Sequence, residues 1–117
     1  MHNVFAEAIY ADQQIARTHP VQLEVPSADQ LLDIFDTISY AKGSVICRML
    51  SDFTGSKFHE CLMTYMDKFK YKNATTEDLL QVADQVCGEC HGMLPSHFLK
   101  PWILQSCFPC ITVKRIG

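Results

Sequence analysis

Hydrophobic side chains recur every three to four residues through most of the chain, and short turn signals separate the runs. This spacing places the apolar residues on one face of an α-helix. It predicts a first helix over 3–16, a second opened by a capping box at 27–30, and further helices over 45–53, 58–69, 75–86 and 96–105. The sequence therefore predicts a mainly helical chain.

Two interruptions of this pattern are predicted inside the helical runs. The dipeptide Lys42-Gly43 separates the second helix, which would bury Phe35 and Ile38, from the third. Pro101 falls inside the last run, and proline removes a backbone donor and clashes with the preceding turn. We therefore expect one helix to end near position 42 before the next begins, and the last helix to be broken around Pro101.

The C-terminal end changes period, because Ile111-Thr112-Val113 reads as a β-strand. A shorter extended stretch is predicted around Val21 and Leu23, where apolar and polar residues alternate. A lone strand leaves its backbone donors and acceptors unpaired. The closing strand is therefore expected to join a sheet contributed by something else.

Composition narrows the possible functions. The 117 residues weigh 13.3 kDa and are 48% hydrophobic and 20% charged, which is enough for one folded domain or part of one. A net charge of -3 gives no electrostatic footprint for nucleic acid or an anionic membrane. No apolar run approaches the ~18 residues of a membrane span, and the first residues lack the pattern of a signal peptide. We expect a cytoplasmic protein without nucleic-acid or membrane partners.

Four of the six cysteines form two Cys-x-x-Cys pairs separated by sixteen residues. This spacing lies within the zinc-ribbon range, and four thiolates suit tetrahedral zinc, so Cys87, Cys90, Cys107 and Cys110 are a candidate metal site. A helical pattern between the pairs argues against a ribbon. The run 87–91 also matches the haem-attachment motif, and a thioredoxin-like redox pair would follow a strand in a βαβ pattern, which is absent here. Thiols without partners are the simplest interpretation.

The histidines complete no hydrolytic motif. His59-Glu60 begins like H-E-x-x-H, but Met63 stands where the second histidine is needed. The chain also lacks a glycine-rich phosphate loop and a G-x-S-x-G elbow. The residues alone therefore indicate no complete active site.

A stronger signal comes from residues 34–46, IFDTISYAKGSVI. This run resembles a signature of zinc aminopeptidases of the gluzincin class, most closely their puromycin-sensitive branch. Three further segments, 18–21, 71–79 and 101–109, are similar to elements of that family in the same order. The resemblance extends over about residues 3–113, and several matches in register are more specific than one.

The resemblance implies a mainly α fold, namely the helical half of a thermolysin-like catalytic domain, with one terminal β-strand. It divides the chain into a partial catalytic subdomain at 1–106 and the start of a following β-domain at 107–117. The implied activity is removal of N-terminal residues from peptides. Tyr40 matches the catalytic tyrosine that donates a hydrogen bond to the tetrahedral oxyanion, and Phe35 matches a substrate-pocket phenylalanine. Without the family, Tyr40 would be a helix-end aromatic and Phe35 a core residue.

The chain also departs from the family pattern. It has no counterpart of the zinc motif, of the downstream glutamate ligand or of the motif that holds the substrate's amino terminus. The resemblance thus implies zinc in the complete enzyme, whereas none is expected on this chain, which should be inactive alone. Cys107 and Leu80 replace a family glycine and tryptophan. Two alternatives stay open: an inactive aminopeptidase-like protein that associates through exposed helical faces, and a small zinc module built on the paired cysteines.

Overall fold

A computed structural model describes residues 3–24, 27 and 35–117 of the chain. Its helices are α1 (Val4–Asp12), α2 (Gly43–Thr54), α3 (Phe58–Phe69), α4 (Thr76–Cys87) and α5 (Pro95–Leu104). A π-helical turn (Ile38–Lys42) precedes α2, and a 3₁₀ turn (Gly55–Lys57) links α2 to α3. The mainly helical prediction is confirmed. Most of the predicted capping box at 27–30 and the helix start that follows it lie outside the described residues.

The core lies between α2, α3, α4 and α5. Each helix contributes an apolar stripe with helical spacing, so packing these helices together removes those stripes from water. The buried members of the core are Ile46, Leu50, Cys61, Leu80, Val82, Ala83, Cys87, Leu99 and Ile103. No helix of the described residues is long and apolar enough to cross a membrane.

Local sequence features account for three of the helix ends. Gly55 follows α2 with a φ of 58°, and Gly88 follows α4 with a φ of 62°, a backbone region that favours glycine. At the start of α4, the Thr75 hydroxyl accepts from the Asp78 N–H at 3.2 Å. The Asp78 carboxylate accepts from the Thr75 N–H at 2.8 Å. This reciprocal pair is a capping box.

The expected break at Lys42-Gly43 is wrong, because the π-helical turn runs directly into α2. Gly43 has helical backbone angles, with a φ of -57°. The broken last helix is also wrong, because α5 continues through Pro101. Proline cannot donate to the carbonyl of His97, but both residues are exposed, so water can replace that donor.

The remaining differences concern extended segments and the length of α1. The first helix ends at Asp12 instead of reaching residue 16. Val21 packs against the core without forming a strand, and the Gln22 N–H donates to the Ile103 carbonyl at 3.1 Å. Residues 108–117 form neither helix nor strand. A strand needs a hydrogen-bonding neighbour, and the described part of the chain offers none to the 111–113 segment.

Candidate functional site

Tyr40 lies in the π-helical turn with its side chain directed outward. Its neighbours Ile38 and Ala41 are 3% and 6% exposed, and these two residues anchor the turn in the interior. The tyrosine itself is 64% exposed. The turn therefore holds a phenol at the protein surface on a backbone that its buried neighbours fix.

Phe35 lies beside Tyr40, with ring centroids 6.3 Å apart and planes tilted by 33°. Phe35 is 64% exposed, so the prediction that it is buried in the core is wrong. The two residues that the family resemblance singles out are thus neighbours on one surface. Their shared exposure is what a site open to a ligand requires.

Asp36 ties the start of the turn together. One carboxylate oxygen accepts the Ser39 N–H at 3.0 Å, and the Asp36 carbonyl accepts the Tyr40 N–H at 3.2 Å. The other carboxylate oxygen lies 2.7 Å from Nε2 of His19. Nδ1 of His19 lies 2.7 Å from the Pro20 carbonyl. Because both ring nitrogens face acceptors, this arrangement suits the doubly protonated, charged imidazolium.

The electrostatics of this pair agree with its geometry. Partial burial lowers the pKa of His19, but the hydrogen bonds to Pro20 and Asp36, with the Asp36 charge, outweigh it and raise the pKa above 6.5. Partial burial raises the pKa of Asp36, but the Ser39 N–H and the His19 ring outweigh it and lower the pKa below 3.8. The two groups therefore hold each other charged beside the tyrosine.

We expect Asp36→Asn to lower the pKa of His19, because the carboxylate that stabilises the imidazolium is lost. The contribution of His19 to the free energy of unfolding is fully present below pH 6.5 and is lost as the pH rises through its raised pKa. The contribution of Asp36 to the free energy of unfolding is present above pH 3.8 and is lost as the pH falls through its lowered pKa. NMR titration of the His19 ring measures the shift. Asp52→Asn is the control, and an unchanged His19 pKa in Asp36→Asn would contradict the pairing.

A buried ion pair holds the other end of the π-helical turn. Nζ of Lys42 lies 2.8 Å from a carboxylate oxygen of Asp12, and the two side chains are 7% and 4% exposed. Lys42 also donates to the carbonyls of Gln105 and Cys107, at 3.3 and 3.1 Å. Asp12 accepts from the Thr18 hydroxyl at 2.8 Å and the Cys107 N–H at 3.0 Å. We call Asp12, Lys42 and the backbone of Cys107 the polar hub.

The polar hub joins three distant parts of the chain, namely α1, the π-helical turn and the segment after α5. Cys107 reaches both charged groups with its own N–H and carbonyl, and its φ is 64°. That conformation favours glycine, which is the residue that the family resemblance expects at this position. Sequence reasoning missed the hub, although the glycine expected at position 107 was a signal of unusual backbone there.

The described residues do not bring the paired cysteines together as a metal site. Cys87 is buried at the end of α4, whereas Cys110 is exposed in the segment after α5. Among residues 3–24, 27 and 35–117, no three His, Cys, Asp or Glu side chains are grouped to hold a metal ion. The tetrathiolate alternative is therefore wrong for this structure, because the four thiols are not placed to share one ion.

An apolar groove opens beside the polar hub, with a volume of about 390 Å³. Asp12 and Lys42 lie at its edge, and its apolar lining includes Phe5, Ile9, Met49 and Trp102. Phe5 and Ile9 are 53% and 49% exposed. The groove therefore exposes apolar side chains to water beside a buried ion pair.

Known proteins resemble this chain along nearly its whole length. The family model described as "Peptidase family M1 domain" matches residues 2–102. "Aminopeptidase M1-C" of Oryza sativa subsp. japonica is 39% identical over 111 residues, which is 94% of this chain and 12% of that protein. "Aminopeptidase N" of Haemonchus contortus is 33% identical over 121 residues, covering 98% of this chain and 12% of that protein.

A relative from a third organism gives the same result. "Probable aminopeptidase 1" of Sulfurisphaera tokodaii is 31% identical over 119 residues, which is 99% of this chain and 15% of that protein. The chain thus spans 12–15% of the length of these curated relatives.

Proposed function

The chain belongs to peptidase family M1, and on this premise we propose that it is part of an aminopeptidase catalytic domain to which it supplies an oxyanion-stabilising tyrosine. The substrate class is peptides with a free amino terminus, from which the complete enzyme removes the first residue. The cytoplasm is the compartment that we propose for it.

The observation that carries the proposal is the placement of Tyr40. Its side chain is 64% exposed, and Phe35 lies next to it. Asp36 and the buried residues Ile38 and Ala41 fix the backbone that carries it. A phenol held on a rigid turn loses little freedom when it meets a substrate, which is the requirement for a preorganised donor.

Tyr40 is proposed to contribute a single hydrogen bond to the reaction. When a peptide carbonyl is attacked, its oxygen becomes negatively charged in the tetrahedral intermediate. A neutral phenol donates more strongly to that oxyanion than to the ground-state carbonyl, so it lowers the barrier selectively. Phe35 offers an apolar surface beside this donor for the side chain of the first substrate residue.

The rest of the machinery is proposed to come from outside these residues. Zinc and the attacking water are proposed to belong to another part of the complete enzyme, because this sequence has no counterpart of the family's zinc motif and glutamate ligand. The comparison with curated relatives supports this division, because the chain spans only 12–15% of their length. The chain by itself is therefore proposed to be inactive.

A chimera tests the proposal. Residues 3–106 replace the matching segment of rice aminopeptidase M1-C, and hydrolysis of aminoacyl-aminomethylcoumarin substrates is measured with and without a chelator. We expect chelator-sensitive hydrolysis, because the recipient supplies everything that this chain lacks. A folded chimera without activity would contradict the proposal.

The isolated chain provides the complementary measurement. We expect no hydrolysis of the same substrates by the pure 117-residue chain, with or without added zinc, because its described residues bring no metal ligands together. Circular dichroism of the same sample confirms that the helices are formed. Chelator-sensitive turnover by this chain alone would show that the division of roles is wrong.

A further inference from the structure

Three thiols lie together where α3 meets the end of α4. Cys61 in α3 is fully buried, and Cys87, the last residue of α4, is 1% exposed. The Cys61 thiol is hydrogen-bonded to the sulfur of Cys87. Cys90 is half-buried, and its sulfur lies 3.9 Å from the Cys87 carbonyl oxygen. The group therefore extends from the surface at Cys90 into the core at Cys61.

The segment from Cys87 to Cys90 is anchored on both sides. Gly88, with a φ of 62°, ends α4, and its N–H donates to the Asp84 carbonyl at 3.0 Å. Cys90 and Met93 exchange two backbone hydrogen bonds, at 2.9 and 3.0 Å. The Cys90 sulfur lies 3.9 Å from the Cys87 carbonyl oxygen, so the two residues of this pair are held close together.

We propose that Cys87 and Cys90 form a redox-active dithiol that a low-molecular-weight disulfide, such as oxidised glutathione, converts to an intramolecular disulfide. In the first step the Cys90 thiolate attacks one sulfur of the oxidant and releases one thiol. Cys87 then loses its proton to solvent and attacks the Cys90 sulfur, which releases the second thiol. Two protein thiols are oxidised and one small disulfide is reduced to two thiols.

The surroundings of Cys87 favour its thiol form, which fits its place as the second thiol to react. Burial and the neighbouring Cys90 and Glu60 raise the pKa of Cys87, and the hydrogen bond from the Cys61 thiol and the Lys57 ammonium oppose that rise only in part. Nζ of Lys57 is fixed by a 2.7 Å hydrogen bond to the Cys87 carbonyl. Burial raises the pKa of Cys61 to about 11, so this thiol stays protonated and keeps its role as donor.

The second Cys-x-x-Cys pair is an internal comparison within the same chain. Cys107 and Cys110 have identical spacing, but they lie in the segment after α5, which forms neither helix nor strand. The backbone of Cys107 is engaged by the polar hub. If spacing alone determined oxidation, both pairs would respond equally. If the turn after α4 matters, the pair Cys87 and Cys90 responds first.

The test treats the folded chain with increasing oxidised glutathione, blocks free thiols by alkylation and identifies the oxidised peptides by mass spectrometry. We expect the disulfide between Cys87 and Cys90 at an oxidant-to-thiol ratio at least about tenfold below that needed for Cys107 and Cys110. Equal response of the two pairs, or earlier oxidation of Cys107 and Cys110, would overturn the proposal.

Variants separate the two steps. Cys90→Ser should abolish the disulfide and leave Cys87 free, because the accessible thiol is gone. Cys87→Ser should trap one glutathione on Cys90, and Cys47→Ser, which removes an exposed thiol in α2, should change nothing. If Cys87→Ser does not fold, Cys90→Ser and Cys47→Ser still decide the question. Persistence of the Cys87 oxidation in Cys90→Ser would contradict the assigned order.

Discussion

Replacing Tyr40 by phenylalanine in the chimera is expected to lower kcat by about 10²–10³-fold, the usual loss for one oxyanion donor. The substitution removes a single hydroxyl and keeps the ring that lies beside Phe35. Because Tyr40 is 64% exposed, its hydroxyl contributes little to the folded state of this chain. The loss should therefore appear in catalysis and not in stability.

Tyr10→Phe is the matched control for this experiment. Tyr10 is 69% exposed in α1, so the same chemical change is made at a comparably exposed tyrosine outside the 38–42 turn. Steady-state kinetics of both variants should show the loss only for Tyr40→Phe. Equal kcat values in the Tyr40→Phe variant and its parent would show that Tyr40 is a surface aromatic without a catalytic role.

Asp12→Asn is expected to lower the free energy of unfolding of the chain by about 3–5 kcal/mol, because it leaves the Lys42 ammonium buried and unpaired. The amide keeps the shape of the carboxylate but carries no charge. Both partners are less than a tenth exposed. Lys42 keeps its hydrogen bonds to the carbonyls of Gln105 and Cys107, but no carboxylate neutralises its charge.

Urea unfolding followed by circular dichroism measures this loss. Asp52→Asn is the control, because the ion pair of Asp52 with Arg48 is about two-thirds exposed and such pairs contribute at most about 1 kcal/mol. Adding Lys42→Met to Asp12→Asn should recover part of the stability by removing the buried charge. An Asp12→Asn variant as stable as Asp52→Asn would mean that the polar hub does not stabilise the fold.

Helix limits that depend on residues within one short stretch are predicted correctly from the sequence. Helix α4 illustrates this, because its start depends on Thr75 and Asp78, three residues apart, and its end on Gly88. Helix α3 is confirmed from its first to its last predicted residue. In both cases the hydrophobic period and the caps belong to one short stretch, so no distant contact is needed to interpret them.

The missed features have distant causes. Lys42-Gly43 resembles a helix break by itself, but Lys42 is held by Asp12, thirty residues earlier, and by carbonyls more than sixty residues later. This hub stabilises a helical backbone that local preference disfavours at Gly43. A π-helical turn also has no hydrophobic period of its own, so the outward position of Tyr40 could be expected only from the family resemblance.

Tertiary packing also overturned what the sequence pattern indicated for Phe35 and for the paired cysteines. The hydrophobic pattern placed Phe35 in the core, whereas its ring lies exposed beside Tyr40. The spacing of the cysteines offered four joint ligands as an alternative, but spacing does not determine how far apart α4 and the segment after α5 lie. Sequence spacing identifies residue types that suit a site, and tertiary packing decides which of them meet.

The central proposal is that these residues are part of a complete aminopeptidase catalytic domain. Its most direct test is the mass of the native polypeptide captured from source cells by an antibody to residues 75–85. We expect a polypeptide several-fold heavier than 13.3 kDa, since these residues would serve a complete aminopeptidase domain. Capture of a 13.3 kDa polypeptide alone, without chelator-sensitive aminopeptidase activity, would contradict it.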